Sequence, residues 1–288
     1  MNELPLQPNI SRATDKKLAT TTLSIFLAVT FTFTWLVLGL AVLAANRLIA
    51  LSLSSAVLIS IATLGPALGA IAAAGYESGR AGIRNLMVQA GRCRVGSRWY
   101  FIVLVGPALV MLVGFLLWRV LGGPSPPAPP LSAWLSVPVL IIALLIPALF
   151  EEVGWRGLAL PRLQPRYGWL LSSLILGIIW AIWHLPIWFI PDAGFSTLPF
   201  PIFMLFTVAL SLLFTWLYNG TGGSVLLPAL AHAAINAYPL PWNTAVYLLP
   251  ESARGLHLQI PVTIVLVVLA IVLILLTGPL TFAAARRK

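Results

Sequence analysis

The chain has 288 residues, of which 60% are hydrophobic and only 8% charged, whereas an average soluble domain has roughly 25% charged residues. This composition excludes a soluble globular domain. The net charge of +10 would indicate nucleic-acid binding in a soluble protein, but in a membrane protein we expect it to set the orientation, and we expect no nucleic-acid partner.

Eight apolar stretches follow one another along the chain, several of them close to the roughly 20 residues that a helix needs to cross a bilayer. They span residues 22–45, 48–74, 99–121, 134–150, 169–190, 198–218, 224–238 and 260–282. We therefore predict an all-α fold, a polytopic membrane helix bundle with about eight transmembrane helices.

Polar and proline-rich segments divide the chain into five parts. In order, we predict a cytoplasmic N-terminal segment (1–21), a three-helix part (22–121), a Pro-rich linker (122–131), a five-helix part with the catalytic motifs (132–282) and a basic C-terminal tail (283–288). Within the three-helix part, residues 76–98 are interpreted as a basic cytoplasmic loop, in contact with anionic lipid.

The basic residues predict the orientation of the helices. With both ends inside, 14 of the 17 Lys and Arg residues lie on the cytoplasmic side, and only Arg47, Arg119 and Arg254 lie outside. The positive-inside rule requires such an excess of Lys and Arg on the cytoplasmic side. We expect a multi-pass protein of the cytoplasmic membrane with both termini cytoplasmic.

Few ionisable residues lie in or beside the apolar stretches. Among the acids and histidines, only Glu151, Glu152, His184 and His232 do so, with Arg156 close by. A charge at membrane depth costs at least roughly 2.5–3.5 kcal/mol, so such residues usually face an interior cavity and mark a functional site.

Helix geometry brings these residues to similar depths. If the chain turns at residues 164–168, Glu151 and His184 lie about 22 and 25 Å from the turn on an antiparallel helix pair. His232 lies about 12 Å from the start of its helix, and Asn236 follows one turn later. The spacing therefore allows one shared site.

Spacing within the helices suggests different roles. Glu152 and Arg156 are four residues apart and share a helix face, so we interpret them as an ion pair that gives structural support. Glu151 points roughly 100° away and is left as a candidate general base. His232 and Asn236 share a face and are suited to donate hydrogen bonds to an oxyanion.

Three short motifs carry a family resemblance. EEVGWR at residues 151–156, WAIWH at 180–184 and HAAIN at 232–236 resemble the motifs of the CPBP family (CAAX protease and bacteriocin-processing, or Abi), intramembrane endopeptidases related to type II CAAX prenyl proteases. The resemblance covers about residues 134–238. At Trp180 the family pattern has Phe, so an aromatic residue is kept.

The resemblance implies a glutamate-type intramembrane protease that needs no cofactor. According to this resemblance, Glu151 is the catalytic base and His184 shares the water with it. His232 and Asn236 stabilise the oxyanion. Glu152 with Arg156 gives structural support. The implied substrate is a membrane-embedded or lipid-anchored peptide or protein within the bilayer.

Three alternatives stay open. The family has also been described as metallopeptidases, and Glu151, His184 and His232 could hold Zn²⁺ with one position left for water. A proton-coupled transporter would use Glu151 and His184 as a relay, and a non-catalytic scaffold or immunity protein would keep only the fold. We prefer the endopeptidase because it gives a role to every buried polar group.

Overall fold

A computed structural model describes residues 9–191, 193, 197–247 and 257–278 of the chain, and most of these residues are helical. In chain order the α-helices are α1 (Asn9–Ala45), α2 (Ser55–Ala62), α3 (Leu64–Ala90), α4 (Ser97–Val120), α5 (Leu131–Glu152), α6 (Leu160–Trp183), α7 (Phe200–Gly220), α8 (Leu226–Ala237), α9 (Pro239–Tyr247) and α10 (Gln259–Thr277). A π-helix (Val153–Ala159) joins α5 to α6, and a 3₁₀-helix (Leu185–Phe189) follows α6. The predicted all-α class is confirmed, and no β-strand occurs in the described ranges.

Six helical segments in the described part of the chain are long and apolar enough to cross a membrane. One of them, Leu131–Phe189, has 59 residues and contains the fourth predicted stretch and all but the last residue of the fifth. The seventh predicted stretch forms the twelve-residue α8. At about 18 Å, α8 is shorter than the roughly 30 Å hydrocarbon core. A polytopic helical membrane bundle is confirmed, with this short helix inside it.

Two predicted boundaries in the N-terminal part were wrong. The stretch 48–74 is not one helix, because its first helix begins at Ser55 and a break at Thr63 separates α2 from α3. Residues 76–90, interpreted as a loop, continue α3 to Ala90 through a kink at Gly79. This segment is amphipathic: Leu86 is buried in the core while the neighbouring arginines are exposed, so its charge does not prevent a helix.

Small side chains bring α5 and α8 close together. Val137, Ile141 and Ala148 of α5 pack against alanines of α8, which are residues 229, 233, 234 and 237. Alanine lets two helix backbones approach closely in a membrane bundle. As a result, the end of α5 lies beside the polar residues of α8.

The connection from α5 to α6 is helical throughout and buried where it leaves α5. All seven residues of the π-helix are buried, and a Cβ added at Gly154 would lie 2.6 Å from the Pro66 Cβ of α3. The helical path breaks at Gly168, which has φ +70°. This break falls at the end of the predicted turn and lets the second part of α6 return along α5.

Candidate active site

The first motif lies where α5 passes into the π-helix, with its ionisable side chains buried. Glu151 is 6% exposed, Glu152 0% and Arg156 1%. π-Helical turns are rare and occur often at functional sites, because the wider turn changes which side chains share a face. Three ionisable groups within six residues and out of contact with water require partners from other helices.

Glu152 is the centre of a buried ion network. Its carboxylate forms an ion pair with Arg156, whose Nη1 lies 2.9 Å from Oε2 and donates a hydrogen bond of 3.1 Å to Oε1, so the predicted pair is present. Oε1 also lies 3.1 Å from Nδ1 of His232 on α8. This second contact joins residues 80 positions apart, so spacing along the chain does not predict it. Glu152 therefore connects α5 to α8 and orients the His232 ring.

Aromatic rings enclose the guanidinium of Arg156. Its central carbon lies 5.1 Å from the ring centroid of Trp180 and 5.2 Å from that of Phe214, both within the range of cation–π attraction. Its Nε and Nη2 make no hydrogen bond within the described residues. The rings thus supply part of the stabilisation that water would otherwise give to this cation.

Glu151 is held by a different partner. The indole Nε1 of Trp180 donates a hydrogen bond of 2.8 Å to Glu151 Oε2. Glu151 and Glu152 are adjacent in sequence, yet one carboxylate is bound to a neutral donor and the other to a cation. From the sequence, Trp180 was predicted only to replace a Phe of the family motif. The sequence feature that indicates a role in the site is its position four residues before His184, on the same helix face.

His184 directly follows α6, and its Nδ1 lies 2.9 Å from the carbonyl oxygen of Trp180. A carbonyl oxygen only accepts, so Nδ1 carries the proton in this bond. In the neutral ring, Nε2 is then a hydrogen-bond acceptor. The rings of Trp183 and Phe203, with centroids 4.5 and 5.2 Å away, hold the imidazole from two sides.

The four residues predicted to be catalytic line one cavity of about 210 Å³. Glu151 comes from α5, His184 from the end of α6, and His232 and Asn236 from α8. Asn236 is exposed, whereas the other three are buried or half-buried. Most of the remaining wall is apolar and comes from α1, α2 and α5; its residues are Leu38, Ile59, Ala62, Leu144, Pro147 and Ala148. The cavity is thus a polar cluster inside an apolar lining.

A zinc site needs three or four ligating side chains around one point. Within the described residues, no three His, Cys, Asp or Glu side chains are grouped so that they could hold a metal ion. The three candidate ligands, Glu151, His184 and His232, therefore do not fit a zinc site in this arrangement, and we derive no step through a metal.

Comparison with known protein families matches the part of the chain that contains these site residues. Residues 133–238 match the family model described as type II CAAX prenyl endopeptidase Rce1-like. A CAAX prenyl protease 2 from Methanococcus maripaludis is 35% identical over 106 residues. That alignment covers 35% of this chain and 39% of the relative, so the match spans about two fifths of the relative's length. Residues 133–238, which contain the three motifs, are therefore similar to type II CAAX prenyl endopeptidases.

Proposed function

We propose that this chain is an intramembrane endopeptidase that hydrolyses a peptide bond of a membrane-anchored or hydrophobic substrate. The observation that carries the proposal is the shared cavity of Glu151, His184, His232 and Asn236. Its otherwise largely apolar wall suits a hydrophobic peptide, and its size is enough for water and a peptide carbonyl group. The similarity to a CAAX prenyl protease over residues 133–238 supports the same reaction class.

Glu151 acts as the general base. Its carboxylate takes a proton from a water molecule while the water oxygen attacks the carbonyl carbon of the substrate. His184 accepts a hydrogen bond from the same water through Nε2, because its Nδ1 proton is already donated to Trp180. Two acceptors fix the orientation of the water before it attacks.

His232 and Asn236 stabilise the oxyanion that forms. Glu151 and Glu152 carry two negative charges, and Arg156 supplies one positive charge. A buried cluster is most stable near neutrality, so His232 carries the second positive charge and donates Nδ1–H to Glu152. Its Nε2–H and the side-chain amide of Asn236 are then two donors for the developing oxygen anion.

Collapse of the tetrahedral intermediate completes the reaction. The proton held by Glu151 passes to the substrate nitrogen, the carbon–nitrogen bond breaks, and the oxyanion returns to a carbonyl group. The products are a carboxylic acid and an amine, and Glu151 is again a carboxylate. No oxidant, reductant or further reactant is needed.

The test compares membrane peptides from cells that carry the wild type, Glu151→Ala or Glu77→Ala. Glu77 pairs with Arg162 away from the cavity, so its variant is a matched control at equal expression. We expect at least one membrane peptide to remain uncleaved only with Glu151→Ala, and purified wild type to cleave that peptide. Identical peptide sets in all three strains would contradict the proposal and favour a transporter or a scaffold.

A further inference from the structure

Trp180 contacts four of the five ionisable residues of the site, all except Glu152. Its indole N–H donates to Glu151, its ring lies under the Arg156 guanidinium, and its edge meets the His232 ring at a centroid distance of 5.2 Å. Its carbonyl oxygen accepts from His184. The proposed mechanism assigns no role to this side chain.

The hydrogen bond fixes a torsion that is otherwise soft. The terminal torsion of a glutamate side chain has a broad energy minimum, so an unrestrained carboxylate rotates readily. With Oε2 bound to the indole at 2.8 Å, the plane of the Glu151 carboxylate is set and Oε1 is the oxygen with both acceptor positions open. A general base must hold this kind of fixed orientation toward its water.

The donor is itself held rigidly. Trp180 is 2% exposed and packs against Phe214 as well as Arg156 and His232. The guanidinium 5.1 Å from the ring centroid draws electron density from the indole, which makes its N–H a stronger donor. Arg156 thereby acts on Glu151 through the indole ring, without a direct ion pair.

We infer that Trp180 is a positioning residue, whose indole N–H holds the Glu151 carboxylate in the orientation that activates water. The inference rests on the proposed function of Glu151. A Phe at this position keeps an aromatic face for Arg156 and an edge for His232, and it loses the N–H. Trp180→Phe therefore separates the hydrogen bond from the packing.

The kinetic test compares Trp180→Phe with Trp155→Phe. Trp155 is a matched control because it is also a buried Trp beside Arg156, 0% exposed, and its Nε1 makes no hydrogen bond within the described residues. We expect Trp180→Phe to lower kcat by roughly 10–100-fold with KM within twofold, the loss expected for one hydrogen bond to a charged group. Trp155→Phe should change kcat by less than threefold.

A replacement that keeps the shape of the indole separates the loss of the N–H from any change in packing. Benzothienylalanine placed at position 180 alone keeps the two fused rings and has sulfur in place of the N–H. We expect it to lower kcat as Trp180→Phe does, with a melting temperature close to that of wild type. Turnover equal to wild type in both position-180 variants would overturn the positioning role.

A spectroscopic measurement tests the hydrogen bond without any substrate. In protein labelled with ¹⁵N-tryptophan, the indole signal of Trp180 is assigned by its absence from Trp180→Phe. Glu151→Gln replaces a charged acceptor by a neutral one and should move this signal upfield, while the Trp155 signal stays in place. A Trp180 signal that does not respond to Glu151→Gln would overturn the inference even if Trp180→Phe folds poorly.

The two proposals fail in different ways. A wild-type chain that hydrolyses no peptide would overturn the proposed function, and with it the catalytic meaning of Trp180. A wild type that cleaves peptide while Trp180→Phe and Trp155→Phe behave alike would overturn the positioning role alone.

Discussion

Two cavities flank the short helix α8, and they differ in chemistry more than in size. His232 and Asn236 line the polar cavity of about 210 Å³. Ala231 and Ile235, one residue earlier in each case, line a cavity of about 310 Å³ between α4, α7, α8 and α10 whose lining residues are all apolar. Adjacent residues of a helix point roughly 100° apart, so one helix serves both cavities. The larger cavity contains no group that can transfer a proton, so its size does not make it a reaction site.

Phe214 separates the two regions. It lines the apolar cavity, and the Arg156 guanidinium lies 5.2 Å from its ring centroid. The charged cluster is therefore insulated by hydrocarbon on that side. Charges and hydrogen bonds act more strongly in such low-dielectric surroundings, and an unpaired group costs more there. The contrast predicts large effects for substitutions on the polar side and small ones on the apolar side.

The largest effect is expected for Glu151→Gln. The amide cannot take a proton from water, so cleavage of the peptide identified in cells should fall by roughly 10²–10⁴-fold, to the background of the assay. The protein should still insert and unfold at nearly the wild-type temperature, since Gln can accept the bond from Trp180. Glu77→Gln, which alters a pair outside the cavity, serves as the control. Unchanged turnover in Glu151→Gln would refute the catalytic assignment.

Glu152→Gln should mainly reduce stability. It leaves Arg156 without a carboxylate in a site where Arg156 is 1% exposed, and breaking a buried pair of this kind costs roughly 3–5 kcal/mol of unfolding free energy. Thermal unfolding in detergent, followed by tryptophan fluorescence, measures the effect. Glu77→Gln breaks a pair whose partners are both 19% exposed, so water can partly solvate the remaining charge and the loss of stability should be clearly smaller. Equal melting temperatures for the two variants would contradict the structural role of Glu152.

Asn236→Ala should slow catalysis without weakening substrate binding. Loss of one preorganised oxyanion donor lowers kcat by roughly 10²–10³-fold, and KM should stay within about threefold. Asn219→Ala is the matched control, because Asn219 exchanges two amide hydrogen bonds with Gln164 outside the cavity. A rise in KM with unchanged kcat would instead assign Asn236 to substrate binding.

Contacts within one helix were predictable from the sequence. The shared face of His232 and Asn236 follows from the helical repeat, and the pair of Glu152 with Arg156, also four residues apart, persists although a π-helix begins between them. The break at Gly168 was also near the predicted turn, since the apolar pattern stops there. These features depend only on local geometry, and a single sequence contains that information.

Contacts between helices were not predictable in the same way. The bond from His232 to Glu152 and that from Trp180 to Glu151 depend on how α5, α6 and α8 pack. The π-helix after Glu152 was missed because its residues have no composition that distinguishes them from an α-helix. The predicted loop at residues 76–98 was wrong over residues 76–90, because charge alone does not distinguish a loop from an amphipathic helix, and Leu86 anchors such a helix there.

A small effect is expected on the apolar side. A Cβ added at Gly106, which lines the apolar cavity, would meet nothing within 4 Å, so Gly106→Ala fits without a clash. We expect it to raise stability by roughly 0.5–1 kcal/mol through helix propensity and to leave kcat/KM within twofold. Gly154→Ala is the contrasting variant, because its Cβ would lie 2.6 Å from Pro66 and should lower stability. A large change in KM for Gly106→Ala would mean that substrate enters the apolar cavity.

The smallest effect is expected from metal removal. This experiment tests whether the side chains of the polar cavity are sufficient for peptide hydrolysis. Glu151, His184 and His232 do not form a ligand group among the described residues. Thorough chelation should therefore leave turnover of purified protein unchanged, and added Zn²⁺ should not raise it. A zinc enzyme would lose activity with chelator, recover it with Zn²⁺ and contain about one metal per chain. That result would replace the general-base mechanism by activation of the water on a metal ion, while the same cavity kept its function.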